Sequence, residues 1–270
     1  MRTIAHLSDL HFGRTDPSLL EPLIESVRRA SPHLVAVSGD LTQRARSDEF
    51  RQAREFLDRL PSPQIVVPGN HDVPMHNLLA RFLTPFEKYR RWISEELEPF
   101  YADDEIAVLG VNTARSLTFK SGRVNQEQIA RVRERMCNGG KDLVRAVVTH
   151  HPFDAPVAVP EEGLVGRARA MMEALAACGA DLLLAGHLHV SHTVGTAARY
   201  KIAGHSALVV QAGTATSTRG RGELNSFNLI RIARPEIEIE RMDWNSASGT
   251  FVPALTSRFR HTADGWHPAT

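Results

Sequence analysis

Five short polar clusters, each directly following an apolar run, constrain this chain more than any other feature. The stretch Val66-Val67-Pro68-Gly69-Asn70-His71-Asp72 shows the pattern in full. Two β-branched residues end a buried strand, and Pro68-Gly69 forces a tight turn at its edge. The turn then presents an amide oxygen, an imidazole and a carboxylate in succession. Asp9-Leu10-His11, Gly39-Asp40, His150-His151 and Gly186-His187-Leu188-His189 repeat these residue types after other apolar runs. Open α/β sheets place their sites at strand ends of this kind. A lone Gly-Asp pair, Asp-x-His or His-His-Pro loop reads as an ordinary turn. It is their joint occurrence after successive strands that points to chemistry.

The runs between the clusters set the fold class. Residues 3–7, 34–37 and 64–67 read as strands. The helix after the first is capped by Asp16 with Pro17 at its first position, and the helix after the second by Ser47, with Phe50, Ala53, Leu57 and Leu60 on one side. Alternation of strand and helix predicts parallel pairing. Residues 77–97 break the rhythm and read as two helices parted at Thr84-Pro85, with Thr84 and Glu87 at capping-box spacing. Leu78, Phe82, Phe86, Tyr89, Ile93 and Leu97 form an apolar stripe, which either packs on the core or forms a lid. Further strands are expected at 105–111, 143–148 and 181–185, and helices at 125–136 and 161–177. The segments 207–211, 227–232 and 236–242 alternate as β structure and are expected to form a second, more antiparallel sheet. For residues 245–270 a strand pair and an interface both stay open. The expectation is one α/β domain over 1–270, with a helical insertion at about 75–98 and a β-rich C-terminal part.

Composition narrows the function class. With 270 residues, 42% hydrophobic and 23% charged, the chain can bury a substantial core, and disordered and fibrous classes drop out. A net charge of +1 argues against a stable nucleic-acid partner held by a basic face. Cys137 and Cys178 are the only cysteines and suggest neither a disulfide framework nor a thiolate metal site, which fits a reducing cytoplasm. The N-terminus enters a strand directly, and no run is long enough to span a bilayer.

Asp9, His11, Asp40, Asn70, His150, His187 and His189 are the candidate ligands. A divalent ion of intermediate softness accepts carboxylate, imidazole and amide oxygen together. In an extended segment, Asp9 with His11 and His187 with His189 each project to one side. Seven ligands are too many for one ion and suit two ions bridged by one carboxylate.

The order Asp-x-His, Gly-Asp, Gly-Asn-His-Asp, His, Gly-His-x-His resembles the five-block pattern of the calcineurin-like metallophosphoesterases. The contexts Leu7-Ser8-Asp9-Leu10-His11-Phe12-Gly13 and Gly39-Asp40-Leu41-Thr42 are most similar to the bacterial class III cyclic-nucleotide phosphodiesterase and glycerophosphodiesterase group. The resemblance implies a sandwich of two mixed β-sheets flanked by helices. It also implies one metal on Asp9, His11, Asp40 and His189, and another on Asp40, Asn70, His150 and His187, with Asp40 bridging. Manganese, iron or zinc are the ions expected.

The reaction expected is hydrolysis of a small phosphodiester by a hydroxide that two ions about 3.5–4 Å apart share and acidify. His71 is placed as general acid or electrostatic stabiliser, with Asp72 orienting its ring. Two divalent cations, two carboxylates and a hydroxide leave a charge of about +1, which favours a monoanionic diester mildly. Arg14, Arg44 and Arg219 are candidates for contact with substrate, and His151 is expected to support His150. Alternatives are a nuclease, a phosphomonoesterase, a lipid-precursor pyrophosphohydrolase and a non-catalytic metal-binding scaffold; a homo-oligomer stays open.

Overall fold

The structure, a computed structural model, describes residues 1–138, 140, 142–154, 164–189, 191–196, 206–218 and 222–269. Two mixed sheets stack face to face with helices on the outside. In the first, β1 (Arg2–Leu7), β2 (Leu34–Ser38) and β3 (Gln64–Val67) pair in parallel, as alternation predicts. The second contains β4 (Phe100–Ala102), β5 (Ile106–Gly110), β6 (Val144–Val148), β7 (Leu182–Ala185), β8 (His192–Gly195) and β9 (Leu208–Gln211), in the order β4-β5-β6-β7-β9-β8.

The C-terminal strands correct one expectation. β10 (Ser226–Ala233), β11 (Glu236–Asn245), β12 (Thr250–Thr262) and β13 (Gly265–Pro268) do not make a separate antiparallel sheet. β10 pairs antiparallel with β1, and the hairpins that follow extend the first sheet outward. The free edge of β1 is what they complete, and this turns a parallel sheet into a mixed one. Residues 250–262 and 265–268 form the strand pair that the sequence left open.

Between the sheets, Ile4, Ala36, Ile65 and Val67 meet Val108, Val144, Val148, Leu182 and Leu184, all buried. Each fully buried aliphatic side chain of this kind contributes roughly 1.5–3 kcal/mol. α1 (Leu20–Ala30) and α2 (Ser47–Leu57) cover the outer face of the first sheet through Leu23, Ile24, Val27, Phe50, Ala53 and Leu57. α5 (Gln126–Met136) and α6 (Ala168–Ala177) cover the second through Ile129, Val132, Met136, Met171, Met172 and Leu175.

Asp16 caps the turn before α1, accepting from Ser18 N. Ser47 is the first residue of α2 and not its cap; Glu49 instead accepts from the Arg44 and Arg46 amides.

The 77–97 segment divides into α3 (Leu78–Leu83) and α4 (Glu87–Trp92). Phe86 and not Thr84 precedes the second helix, so the Thr84 capping box is not formed. The apolar stripe also splits. Tyr89 is buried and donates to the Val66 carbonyl, with Phe86, Ile93 and Leu97 packed on the same core, whereas Leu78, Leu79, Phe82 and Leu83 stand exposed. Buried Arg81 pins α3 by donating to the carbonyls of Pro74, Ser116 and Thr118.

Cys137 and Cys178 form a disulfide, contrary to the sequence expectation. They terminate α5 and α6, and the packing of those helices brings residues 41 apart in sequence into contact. The pairing removes the ground on which a reducing compartment was read. Among the described residues, no helix is long and apolar enough to cross a membrane.

Candidate metal centre

The five polar clusters lie on turns leaving β1, β2, β3, β6 and β7, strands that belong to both sheets, and the sandwich brings them to one end. These turns are strained. Asp9, His11, Asp40, His187 and His189 all have φ between 51° and 74°, the left-handed region that non-glycine residues rarely adopt. Asp9 with His11 and His187 with His189 are therefore not extended pairs. Each side chain is aimed by a local left-handed turn, and the two members of the second pair go to different neighbours.

Two glycines make room for the cluster by close approach. A Cβ on Gly69 would stand 2.2 Å from Asp40 Oδ1, and one on Gly186 would stand 1.8 Å from Ser8 Oγ and 2.7 Å from Asp9 Oδ2.

Asp9, His11, Asp40 and His189, all buried, point ligand atoms at one place. His189 Nε2 is 3.1 Å and His11 Nε2 3.5 Å from Asp9 Oδ1, and the two imidazole nitrogens are 3.4 Å apart. On the other side, His150 Nε2 lies 3.1 Å from Asn70 Oδ1 and 3.3 Å from His187 Nδ1. Asp40 joins the halves: its Oδ2 is 3.7 Å from His11 Nε2 and 3.4 Å from His150 Nε2. Its Oδ1 turns away and accepts from His71 N at 2.8 Å. These contacts gather the seven residues in two groups joined through Asp40.

The donor set fits metal. Asp9 Oδ1 is buried without a hydrogen-bond donor of good geometry, and imidazole nitrogens face one another across the cluster. A cation among such lone pairs relieves both problems. Outer contacts fix the ligands: Ser8 Oγ donates to Asp9 Oδ2 at 2.6 Å, and His150 Nδ1 donates to the Ser38 carbonyl at 2.8 Å.

Electrostatics follow from this crowding. Burial opposes the charge on Asp9 and Asp40, but the surrounding histidines outweigh it and hold both carboxylates well below their usual range. Burial likewise opposes the charge on His150, yet Asp40, Asp9 and the Ser38 carbonyl raise it to about 9. Burial and the charge of His150 lower His187 to about 4.

His71 and Asp72 do not interact as expected. His71 Nδ1 lies 2.8 Å from the Gln43 carbonyl, so that backbone oxygen, which can only accept, orients the ring and sets the proton on Nδ1. The ring stands edge-on to His11 with centroids 5.0 Å apart. Asp72 accepts from the amides of Gly69, Leu41 and Thr42 and from the Thr42 hydroxyl. Its carboxylate is spent tying the turn that carries Asn70 to the turn that carries Asp40. Burial and the charge of Asp40 push it up to about 6.

His151 stands closer to the centre than its sequence position suggests. It groups with His150 and His187, its ring centroid is 4.5 Å from that of His187, and Thr113 Oγ1 holds its Nδ1 at 2.8 Å. Arg14 and Arg44 are exposed, with no side-chain partner among the described residues. Arg219 lies outside the described residues.

A family model for calcineurin-like phosphoesterases matches residues 2–191, which include all five clusters. The chain belongs to the calcineurin-like phosphoesterase family. It is similar to the glycerophosphodiester phosphodiesterase GpdQ of Enterobacter lignolyticus (strain SCF1), at 28% identity over 55% of this chain and 56% of that one. It is also similar to a probable cyclic nucleotide phosphodiesterase of Synechococcus sp. (strain ATCC 27144), at 23% identity over 56% of this chain and 58% of the relative. The chain thus spans little more than half the length of these curated relatives. In fold it resembles a dimetal phosphatase from Danio rerio, with a TM-score of 0.66 at 12% identity, over 93% of this chain and 98% of that one.

Proposed function

We propose that this chain is a dinuclear metal-dependent phosphodiesterase acting on a small phosphodiester, with Asp9, His11, Asp40 and His189 holding one ion and Asp40, Asn70, His150 and His187 the other. The observation that carries the reading is the position of Asp40 Oδ2, within 3.7 Å of an imidazole of each half. When bound, a pair of ions there supplies acidified water and a grip on phosphoryl oxygens. The relatives named for glycerophosphodiesters and cyclic nucleotides support a diester and indicate which substrates to screen first.

The chain's own residues do the rest. The His71 amide fixes Asp40, so that only one carboxylate oxygen faces the two halves. The Gln43 carbonyl holds the Nδ1 proton of His71 and stabilises the imidazolium form, whose Nε2 proton is then available to the leaving oxygen. Asp72 acts as a positioning residue through the backbone of the Asp40 and Asn70 turns. Arg14 and Arg44, exposed on the segments after β1 and β2, are the described residues proposed to meet substrate outside the centre.

Hydrolysis of bis-p-nitrophenyl phosphate beside p-nitrophenyl phosphate, on metal-stripped protein with added Mn²⁺, tests the reading. Metal-dependent turnover strongest on the diester supports it. Stronger monoester turnover makes the chain a phosphatase, and no turnover of either with both metals bound favours the scaffold.

A further inference from the structure

Arg123, Arg167 and Arg169 line one cavity of about 570 Å³, with Ser121, Gly122 and Gly166 in its wall. All three arginines are exposed, and among the described residues none of their side chains has an ion-pair or hydrogen-bond partner and no carboxylate lines the cavity. Some exposed arginines elsewhere are paired, as Arg59 is with Glu21 and Arg258 with Glu238. Like charges gathered without a counter-ion among the described residues repel, and their field favours a bound anion. The effect reaches Arg115, whose guanidinium is lowered by burial and by the charge of Arg123.

Backbone contacts build the cavity wall. Gly166 N donates to the Gly122 carbonyl at 2.8 Å, Val124 N donates to the Gly166 carbonyl at 3.2 Å, and Arg123 pairs with Gly166 as an isolated parallel bridge. Val165 N donates to the carbonyl of Pro152, two residues after His150. The wall also lies against the candidate centre. A Cβ on Gly122 would stand 2.5 Å from His151 Cγ, and the His151 ring is 4.5 Å from that of His187. One side chain therefore separates the arginine cavity from the second half of the cluster.

We propose that this cavity is a phosphate subsite that takes a second phosphate of the substrate while the scissile diester lies at the metal centre. This rests on the phosphodiesterase reading above. Guanidinium forks suit phosphate oxygens, and three of them match a dianion better than a single carboxylate. The volume falls in the range of about 300–1,000 Å³ usual for small-molecule sites, so it admits a phosphorylated sugar or nucleoside. The substrate class is thereby narrowed to diesters that carry a terminal phosphate on one side.

The test compares the thymidine dinucleotide TpT with its 5′-phosphorylated form pTpT on the metal-loaded protein, following cleavage of the internal diester chromatographically. The expected KM for pTpT is lower by about tenfold or more, the size expected of charge-assisted hydrogen bonds. In the variant combining Arg123→Gln, Arg167→Gln and Arg169→Gln the KM ratio falls towards one, and the single reversal Arg167→Glu lowers it as well should the triple variant fold poorly. Equal KM values in the unaltered protein, or a preference that survives either variant when folded, overturns the subsite. If neither TpT nor bis-p-nitrophenyl phosphate is hydrolysed, the phosphodiesterase reading fails by itself. Calorimetric Kd values for pTpT and TpT then decide the subsite: an arginine-dependent preference of about tenfold supports it, and equal values overturn it.

Discussion

The two halves of the metal cluster are built from different ligands. Around Asp9, two carboxylates and two imidazoles converge, all of them buried. Around His150, the carboxylate is the one borrowed from Asp40, the oxygen of Asn70 is neutral, and His187 is only partly buried. The first half offers a cation more negative charge and less water. The second offers it a histidine already raised to about 9 and therefore protonated at neutral pH. The proposed assignment accordingly predicts a tighter and a weaker ion, with Asp40 the one residue on which both depend.

The largest effect is expected at that shared residue. Asp40→Asn should remove both ions and lower kcat/KM by about 10³-fold or more, since it removes both water activation and charge stabilisation. Metal content by elemental analysis together with diester kinetics checks this; loss of a single ion would show that Asp40 serves one half only. Substituting His71 comes next. His71→Ala should retain both metals and slow substrates with poor leaving groups by about 10²–10⁴-fold, while p-nitrophenyl esters suffer less. An equal loss on good and poor leaving groups would remove the general-acid role.

Asn70→Ala should weaken only the second ion, by about 10–100-fold, leaving the first step of a Mn²⁺ titration in place. Two equally tight sites in the unaltered protein would contradict the asymmetry at its root.

The smallest effect is on pH dependence. In the metal-free protein, a His150 value raised from 6.5 to about 9 means that its stabilising contribution is full below about pH 6.5 and is lost as the pH rises through about 9. A metal must displace that proton. Apparent affinity of the weaker site should therefore fall as the pH is lowered from about 9, with proton release on binding seen by calorimetry in buffers of different ionisation enthalpy. A pH-independent second step would place His150 outside the ligand set.

The residue types of the cluster were legible because each follows a strand whose β-branched residues are plain in the sequence, as at Val66-Val67. The left-handed turns were not, because Asp and His carry no signal for φ as glycine does. Asp72 shows the same limit: its acceptor atoms serve amides of Gly69, Leu41 and Thr42, and which amides come near is settled only by the pairing of β2 with β3. β12 stays an open alternative in the sequence since only Phe251 and Phe259 of its 13 residues are buried, leaving no two-residue alternation to read. The Cys137–Cys178 link depends on how α5 lies on α6, which no spacing reveals. The stripe at 78–97 read as one face because period alone cannot show that α4 docks on the core while α3 is held away by Arg81.

In the proposed assignment Asp40 couples two ions into one centre. Electron paramagnetic resonance during a Mn²⁺ titration of metal-stripped protein tests it most directly. The prediction is a mononuclear signal that gives way, as the second equivalent binds, to an exchange-coupled pair whose coupling is lost in Asp40→Asn. Saturation at one equivalent, or two ions that remain magnetically independent in the unaltered protein, would contradict it.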